Sequence, residues 1–351
     1  MDGFAARAGV ATIRCSHRPA AGFFTSGHSR EKTARRAVAR TGTAAGQTRR
    51  LFTMQEITVR VPGSTSNLGP GFDCLGVALR LYNNVTVIRS PSRQSFHLRI
   101  VSEAADRFFK QARRRAFSFS WSIAERVPHS RGLGSSATVR LGTLLALNRL
   151  SGDPLDRLTV FRLCAELEGH PDNAAPAVFG GFTVVGTPRC PEGFRESAQR
   201  ADAAVHHFEV SRRLYFVLLV PELEIQTSRA RRILPRRVSR VAAVENCANA
   251  CALTAAFASQ DYEKLRDTFT DHFHQPFRAK LIPFLPRVIA AAEEAGALGA
   301  FLSGSGSAIA AVTLHAPKEV AAAMARAASA PARTIITQAD NRGARILPIC
   351  N

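Results

Sequence analysis

The sequence predicts an α+β fold for residues 54–350. Helical and strand patterns mix along the chain without the regular βαβα order of a doubly wound parallel sheet, and strand-like segments occur in hairpin-like pairs early in this region. The 351 residues are enough for one large or two ordinary domains, and no internal repeat or long linker divides the region. We expect two domains, 54–205 and 206–351, with the boundary near 190–210, where prolines, glycine and polar residues gather.

Strand patterns dominate the start of this region. Glu56–Val61 alternates polar and apolar residues, which predicts a strand that stops at Pro62-Gly63. A turn-rich stretch follows, whose asparagine and glycines tolerate unusual backbone angles. Further elements are predicted in this order: strands at 77–81, 84–88 and 96–101, a helix at 104–115, a strand at 117–125, a helix that ends near 150, and a helix at 155–167.

Both element types recur in the rest of the chain. Apolar, β-branched and aromatic residues predict strands at Phe182–Val185 and Leu214–Val220. From 227 to 300 helical patterns dominate and are interrupted by four prolines. Ile309–Leu314 is predicted to be a buried strand, and Thr334–Thr337 a last one.

Residues 1–53 form a basic leader that we set apart from the fold. The segment holds ten basic and two acidic residues, so it contributes +8 of the net charge of +20. It is rich in Ala, Ser, Thr and Gly and has no lasting apolar period, which predicts disorder. Its composition is typical of an organelle transit peptide; alternatively, translation starts at Met54, immediately before the first strand. We expect a cytoplasmic protein, or a plastid protein if the leader is a transit peptide.

Composition and charge argue against several classes of partner. No run approaches the eighteen or so apolar residues of a membrane helix, so we expect no membrane partner. The arginine excess lies in short runs such as 113–115 and 236–237 without interleaved aromatic residues, so we expect no nucleic-acid partner. Such arginines suit solvated faces or the attraction of anionic substrates. Seven scattered cysteines without a C-x-x-C pair argue against a zinc site or a disulfide framework and favour a reducing compartment.

The stretch R-G-L-G-S-S-A-T-V-R-L-G at Arg131–Gly142 has the composition of an anion-binding loop. It is not a Walker loop, because no lysine follows the second glycine. Gly132 and Gly134 let the backbone approach an anion closely, and Ser135 and Ser136 stand where a helix begins, with free N–H groups and the positive end of the dipole. A glycine-rich loop with a serine cap and no bound anion explains the same residues, and this stretch alone leaves both interpretations open.

Further stretches resemble the motifs of the GHMP kinase superfamily. P-G-S-T-S-N-L-G-P-G-F-D-C-L-G at 62–76, P-H-S-R-G-L-G-S-S-A at 128–137 and G-A-L-G-A-F-L-S-G-S-G-S-A at 296–308 follow the order and spacing of its three motifs. Within it, E-G-H-P-D-N-A-A-P-A-V-F-G-G-F at 168–182 and P-E-L-E-I-Q-T-S-R-A-R at 221–231 are most similar to the homoserine kinases. The resemblance covers nearly all of the chain after the leader. It implies a two-domain GHMP-kinase-like α+β sandwich with a non-Walker glycine-serine phosphate loop.

The resemblance also implies the ligands. ATP is the implied phosphoryl donor, Mg²⁺ its metal ion, and L-homoserine the small-molecule substrate. The residues implied for binding ATP and its phosphates are Pro128, Arg131, Gly132, Leu133, Gly134, Ser135, Ser136 and Ala137.

L-Homoserine is a zwitterion with a primary alcohol at its far end, so its site needs both cations and acids. By the resemblance, Arg231 and Arg278 bind the carboxylate, which suits the bidentate guanidinium group, and Thr227 lies one helical turn before Arg231. Asp73 and Asp172 hold the ammonium group. A surface role for Arg278 and a turn-closing role for Asp73 remain open. The other implied substrate contacts are Asn67 and Gly304.

The metal ligands and catalytic residues follow from the same resemblance. Ser136 and Glu166 are the expected Mg²⁺ ligands, and Glu168 is a close alternative because the loop to Asp172 is short. Asp172 is either a general base or an ammonium ligand, and in the second case alignment and charge neutralisation carry the reaction. Asn173 and the helix N-terminus near Ser136 then stabilise the γ-phosphate. The catalytic residues implied are thus Asn173, Asp172 and Ser136.

The implied activity is phosphorylation of L-homoserine by ATP, giving O-phospho-L-homoserine for threonine biosynthesis, and the chain could form a homodimer. Another GHMP kinase of the mevalonate type, or an inactive relative that binds nucleotide or nucleic acid, is the alternative. His170 is interpreted as a packed loop histidine, and the alternative is that it orients a neighbouring residue of the site. The stretch 101–116 departs from the family pattern, because it is short, rich in arginine and lacks the N-N-L-type segment that usually lines the adenine pocket.

Overall fold

The computed structural model describes residues 7–9, 56–90, 98–186 and 204–348. It contains two antiparallel sheets with helices packed on them. The first sheet comes mainly from the N-terminal half of the chain and the second from the C-terminal half. All strand pairs in the described residues are antiparallel. The predicted α+β class is therefore confirmed, since parallel crossovers of the doubly wound type do not build these sheets.

The first sheet is centred on one long strand. Its strands, numbered in chain order, are β1 (Arg7–Gly9), β2 (Glu56–Ser66), β3 (Leu75–Arg89), β4 (Phe119–Ala124), β5 (Phe182–Val185), β6 (Val205–Phe208) and β11 (Arg345–Ile346). β3 pairs with β2 along one edge; along the other it pairs with β5 near its start and with β4 near its end. The start of β3 and the end of β2 therefore lie together at one end of the sheet.

Four helices pack on the first sheet: α1 (Arg99–Ala112), α2 (Ser135–Leu150), α3 (Arg157–Glu168) and α4 (Ala174–Phe179). Their apolar side chains share a core with β2, β3 and β4, and α2 is buried along most of its length. The Asp156 side chain accepts a hydrogen bond from Thr159 N at 2.7 Å and caps α3, which ends at Gly169 in the left-handed conformation. These contacts fix the N-terminus of α2 and the C-terminus of α3 side by side.

The second sheet has the order β10-β7-β9-β8. Its strands are β7 (Tyr215–Pro221), β8 (Gly299–Leu302), β9 (Ile309–Thr313) and β10 (Ala332–Gln338). The accompanying helices are α5 (Thr227–Arg232), α6 (Arg240–Ser259), α7 (Gln275–Arg278), α8 (Leu285–Glu294) and α9 (Pro317–Ala327), with 3-10 turns at Tyr262–Leu265 and Ala279–Leu281. α8 and α9 cover one face of this sheet, while the other face shares a core with the first sheet. Within that shared core Phe182 stacks on Phe257 with ring centroids 4.3 Å apart.

Several predicted boundaries are wrong. β2 does not stop at Pro62-Gly63 but continues to Ser66, because a bulge between Pro62 and Ser64 absorbs the irregular residues. The strands predicted at 77–81 and 84–88 form the single strand β3. The strand predicted at 96–101 is wrong from residue 99 onward, where α1 begins, and residues 96 and 97 lie outside the described residues.

Only three residues of the leader belong to the described structure. Arg7–Gly9 forms β1 and pairs with the outer edge of β4, where unpaired backbone groups accept an extended segment. The predicted disorder is therefore wrong for these three residues. The rest of the 1–53 prediction, including the alternative start at Met54, lies outside the described residues.

Helix α6 is the one helix in the described ranges that is long and apolar enough to cross a membrane, judged by length and composition alone. It lies in the region predicted to be mainly helical, and polar residues such as Asn246 interrupt its apolar run. Leu253, Ala256 and Phe257 of α6 are buried in the core shared by the two sheets. A single helix of this kind is weak evidence for a membrane segment.

Candidate active site

A cleft lies at the N-terminus of α2, where the glycine-serine loop turns into the helix. Gly134 precedes the helix with a φ of 69°, and no side chain caps it. The Ser135 hydroxyl is buried and has no hydrogen-bond partner among the described residues. Free N–H groups of a first helical turn, the positive end of its dipole and an unpaired hydroxyl suit a phosphate group.

Two glycines let this loop pack tightly against the other two motifs. A Cβ at Gly132 would lie 2.1 Å from the Ser303 carbonyl oxygen, and one at Gly134 would lie 2.4 Å from Ser64 Oγ. Both glycines have a positive φ, of 73° and 69°, which a side chain would strain. The backbone can therefore approach a ligand closely while the loop stays fixed.

The predicted phosphate-binding residues fall into two groups. Those from Arg131 to Ser136 line the cleft, whereas Pro128 and Ala137 are buried and do not line it. The Arg131 side chain donates from Nε to the Pro221 carbonyl oxygen at 2.9 Å and pairs with Glu224 at 3.3 Å. Its charge is thus partly used to hold the loop against the second sheet.

The structure separates the two glutamates that were alternatives for the metal site. Ser136 Oγ donates to Glu168 Oε1 at 2.6 Å, and both residues line the cleft. Glu166 instead forms an ion pair with Arg107 of α1 and does not line the cleft. The reason is helical geometry, since residues two apart on a helix point about 200° away from each other. A carboxylate and a hydroxyl oxygen beside a phosphate loop are donors that Mg²⁺ prefers, so Ser136 and Glu168 fit this ion.

The loop after α3 brings a histidine–aspartate pair into the cleft. His170 Nδ1 lies 2.5 Å from Asp172 Oδ1, so His170 orients the aspartate, and its interpretation as a merely packed residue is wrong. Burial raises the pKa of Asp172, but hydrogen bonding to and the charge of His170 outweigh this and lower the pKa overall. Burial lowers the pKa of His170, and Asp172 more than reverses it. Asp172 is thus an ionised, weakly basic carboxylate at neutral pH.

Asn173 is held by two serines at the end of β2. Ser64 Oγ donates to its Oδ1 at 2.8 Å, and its Nδ2 donates to Ser66 Oγ at 3.1 Å. The amide is buried, lines the cleft and stands beside the N-terminus of α2. Neither serine was among the predicted site residues, although both lie in the first motif.

Arg278 is a buried cation at the opposite side of the cleft. Only 2% of it is exposed, so the surface interpretation is wrong. It donates to the Gly304 and Ala230 carbonyl oxygens at 2.8 and 3.2 Å, and none of the described carboxylates forms an ion pair with it. Burial, and then repulsion from Arg231, lower the pKa of Arg278 to about 10, so it stays charged at neutral pH. A buried, unpaired guanidinium facing a cleft favours an anionic ligand.

Arg231 and Asp73 form a bidentate ion pair next to Arg278. Arg231 Nη1 and Nη2 donate to the two Asp73 carboxylate oxygens at 2.9 and 2.6 Å. Both side chains are about one third exposed and line the cleft, as does Thr227 at the start of α5. The two side chains predicted to bind opposite ends of a zwitterion therefore neutralise each other here.

Asn67 and Gly304 connect the two sides of the cleft. The Gly304 carbonyl oxygen accepts hydrogen bonds from Asn67 Nδ2 at 3.0 Å and from Arg278 Nη1. Asn67 Oδ1 accepts from Asp73 N at 3.0 Å, and Asn67 adopts a left-handed φ of 69°. Asn67 thus shapes the loop that carries Asp73, in addition to lining the cleft.

The sequence-predicted residues meet in one cleft, apart from Pro128, Ala137 and Glu166. One side has the N-terminus of α2 and the Ser136–Glu168 pair. The other side has two arginines, Arg231 and Arg278, beside two aspartates. Sequence reasoning missed Arg140 and His274, which support this arrangement from behind. Their i,i+4 spacing from Ser136 and Arg278 was the available signal.

Two models of known protein families match this chain. Family models described as GHMP kinases N terminal domain and GHMP kinases C terminal match residues 99–181 and 253–330. The fold and the cleft thus define a class, the GHMP kinases, which are ATP-dependent small-molecule kinases.

Individual relatives narrow this class. The chain is 36% identical over 263 residues to the homoserine kinase of Carboxydothermus hydrogenoformans, covering 71% of this chain and 83% of the relative. It is 32% identical over 309 residues to that of Desulfitobacterium hafniense, covering 83% and 100%. The solved homoserine kinase of Cytophaga hutchinsonii has a TM-score of 0.73 and 25% identity, covering 84% of this chain and 98% of its own. The chain belongs to the homoserine kinase family.

Proposed function

We propose that this protein transfers the γ-phosphoryl group of ATP to the side-chain hydroxyl of L-homoserine, giving ADP and O-phospho-L-homoserine for threonine biosynthesis. One observation carries the proposal: a single cleft joins the open N-terminus of α2 to the buried, unpaired Arg278 and the acids Asp73 and Asp172. A phosphate donor and a small zwitterion fit the two sides of such a cleft.

The charges on the second side match the two ends of an α-amino acid. Arg278 and Arg231 bind the carboxylate, and each guanidinium carbon lies 5.4 Å from the Phe72 ring centroid, so one ring orients both groups. Side-chain atoms of Asp73, His170 and Asp172 lie within 4.8 Å of one another and form an acidic corner for the ammonium group. Binding of the zwitterion exchanges the Arg231–Asp73 ion pair for two new ones.

The phosphate side positions the donor. The first turn of α2 and Ser135 bind the phosphate oxygens, and Ser136 with Glu168 would hold Mg²⁺. When bound, Mg²⁺ neutralises charge on the phosphate oxygens. Asn173 lies beside this helix N-terminus, and its Nδ2 donates to Ser66 Oγ and Asp172 Oδ1 in the absence of ligand. When ATP is bound, Asn173 exchanges one of these two acceptors for an oxygen of the transferred group.

The chemical step needs alignment more than a strong base. The substrate hydroxyl oxygen forms a bond to the γ-phosphorus, the bond from that phosphorus to the β-phosphate oxygen breaks, and the hydroxyl proton leaves with a phosphoryl oxygen. Asp172 has a lowered pKa and is held by His170, so we assign it to substrate positioning rather than to proton abstraction. A loose phosphoryl-transfer transition state tolerates this.

A coupled ADP-release assay with homoserine, mevalonate and galactose in parallel tests the proposal. We expect homoserine-dependent turnover, because mevalonate and galactose lack the ammonium group that the acidic corner binds. Turnover with mevalonate equal to or above that with homoserine would reject the substrate assignment. If none of the three substrates gave ADP release, the proposed phosphorylation of L-homoserine would be rejected.

We also propose a reducing compartment, the cytoplasm, as the site of action. Cys74, Cys164, Cys247 and Cys251 are free thiols. Cys247 and Cys251 are exposed on α6, and exposed thiols persist in a reducing environment. Fractionation of the native host followed by detection of the protein would test the proposal, and recovery in a membrane or organelle fraction would contradict it.

A further inference from the structure

Arg140 stands directly behind the two residues that would hold the metal ion. It lies one turn beyond Ser136 on α2, and its Nη1 donates to Ser136 Oγ at 2.8 Å. The same nitrogen forms an ion pair with Glu168, and Nη2 lies 3.6 Å from Glu103 Oε2 on α1. The Arg140 side chain is 16% exposed and does not line the cleft, so it contacts this pair from the protein side.

These contacts change what the pair offers to a cation. The Glu168 carboxylate is 8% exposed and already shares its charge with the Arg140 guanidinium, while Ser136 Oγ donates to the carboxylate and accepts from Arg140. A divalent ion gives up part of its hydration shell only to ligands that return enough negative charge. A fixed positive charge at hydrogen-bond distance from both ligands opposes that ion in a poorly solvated site.

We propose that Arg140 is a positioning residue that makes metal binding at Ser136 and Glu168 depend on the nucleotide. Its guanidinium keeps both ligands aligned and neutralised in the free enzyme, so the divalent ion enters with the negative charge of the triphosphate. This inference rests on the proposed function for its nucleotide and its metal ion. It adds a residue that the motifs of the family resemblance do not assign.

A purely structural role for Arg140 is the competing explanation. The described residues supply a matched control, because Arg107 of α1 pairs with Glu166 of the same helix α3 but away from the cleft. If Arg140 only joined α2 to α3, its loss and the loss of Arg107 would have the same kind of effect. Both would lower the stability and leave the metal affinity unchanged.

Mn²⁺ binding to the purified full-length chain separates these explanations. Free Mn²⁺ is titrated by its electron paramagnetic resonance signal, with and without the non-hydrolysable ATP analogue adenylyl imidodiphosphate. We expect weak Mn²⁺ binding by the wild type without nucleotide and much tighter binding with it. Arg140→Gln and Arg140→Met should bind Mn²⁺ without nucleotide about tenfold more tightly than the wild type, and Arg107→Gln should not. Adding Glu168→Gln to Arg140→Gln should remove the gain, which assigns it to this pair.

Three results would overturn the proposal. The first is a wild-type protein that binds Mn²⁺ equally well with and without the analogue, and this result does not depend on whether the variants fold. The second is a folded Arg140→Gln protein whose affinity for Mn²⁺ without nucleotide equals or falls below that of the wild type. An Arg107→Gln gain equal to that of Arg140→Gln is the third. None of these readouts requires homoserine, so failure of the substrate assignment in the ADP-release assay is distinguishable from failure here.

Discussion

Replacement of Arg231 by alanine tests the carboxylate side of the cleft. Arg231 makes a bidentate ion pair with Asp73 and shares the Phe72 ring with Arg278. Truncation at the β-carbon removes one of the two guanidinium groups that we propose bind the substrate carboxylate, and it leaves Asp73 without its partner. The phosphate side of the cleft keeps all its residues, so the effect should fall on homoserine rather than on ATP.

The magnitude follows from the exchange of partners. A hydrogen bond to a charged group contributes about 1.5–3 kcal/mol. Arg231 is about one third exposed and gives up Asp73 when it binds the substrate, which places its net contribution toward the lower part of that range. A loss of about 2 kcal/mol raises the KM for homoserine about thirtyfold. Arg278 stays in place and retains part of the binding energy.

The assay is coupled ADP release with each substrate varied at saturation of the other. Arg231→Ala should raise the KM for homoserine about thirtyfold and leave the KM for ATP within about twofold. Arg229→Ala is the matched control, because this arginine lies exposed on the same helix α5 and does not line the cleft. Equal increases in both KM values, or no increase in either, would refute the reasoning that places the carboxylate at Arg231.

Three further predictions concern the metal pair, the loop and the buried histidine. Glu168→Gln should lower kcat/KM in the ADP-release assay about tenfold to a hundredfold, whereas Glu166→Gln should leave it near the wild-type value; the reverse order would restore Glu166 as the ligand. Gly132→Ala should lower the melting temperature and weaken nucleotide binding, measured by thermal unfolding with and without ATP, because its Cβ would meet the Ser303 carbonyl oxygen at 2.1 Å; wild-type values for both would contradict the packing. Burial lowers the pKa of His274 to about 4, and the unfolded residue titrates near 6.5, so the unfolded chain binds the extra proton between these values. The contribution of neutral His274 to the free energy of unfolding is therefore complete above about pH 6.5 and falls by about 2 kcal/mol at pH 5. Urea unfolding at the two pH values should detect this fall, and His274→Gln should reduce it.

The structure explains why His274 must stay neutral. Its Nε2 lies 2.9 Å from the Gly69 carbonyl oxygen and donates to it, and its Nδ1 lies 3.3 Å from Arg278 Nη1 and accepts from it. The Asp271 carboxylate, 3.5 Å from Nε2, favours the proton, but burial outweighs it. A second proton on the ring would face the Arg278 guanidinium, so acid weakens the support of Arg278 as well as the fold.

Local patterns predicted the parts of the site that lie close together in the chain. The glycines and serines of 131–136 predicted a loop before a helix, and α2 begins at Ser135 as expected. The buried strand Ile309–Thr313 was predicted with one extra residue at its end, and the end of α2 at Leu150 was also predicted. In each case the signal is short-range, because glycine conformation, helix capping and apolar periodicity act within a few residues.

Choices between neighbouring residues needed the tertiary structure. Glu166 and Glu168 have the same chemistry, and only the packing of α3 against α1 and α2 turns Glu168 toward Ser136 and Glu166 toward Arg107. The tertiary structure likewise places His170 in contact with Asp172, which the sequence pattern did not predict.

The sequence by itself determined the mixed architecture, the glycine-serine loop before α2 and a set of cations and acids suited to a zwitterion, because each depends on residue type and short spacing. Tertiary structure alone decided which of those charges meet. It buried Arg278 without a carboxylate, joined Arg231 to Asp73 across 158 positions of sequence, and set Arg140 behind Glu168. Such pairings depend on how the two sheets and their helices pack, and no local pattern encodes the distance between side chains so far apart in the chain.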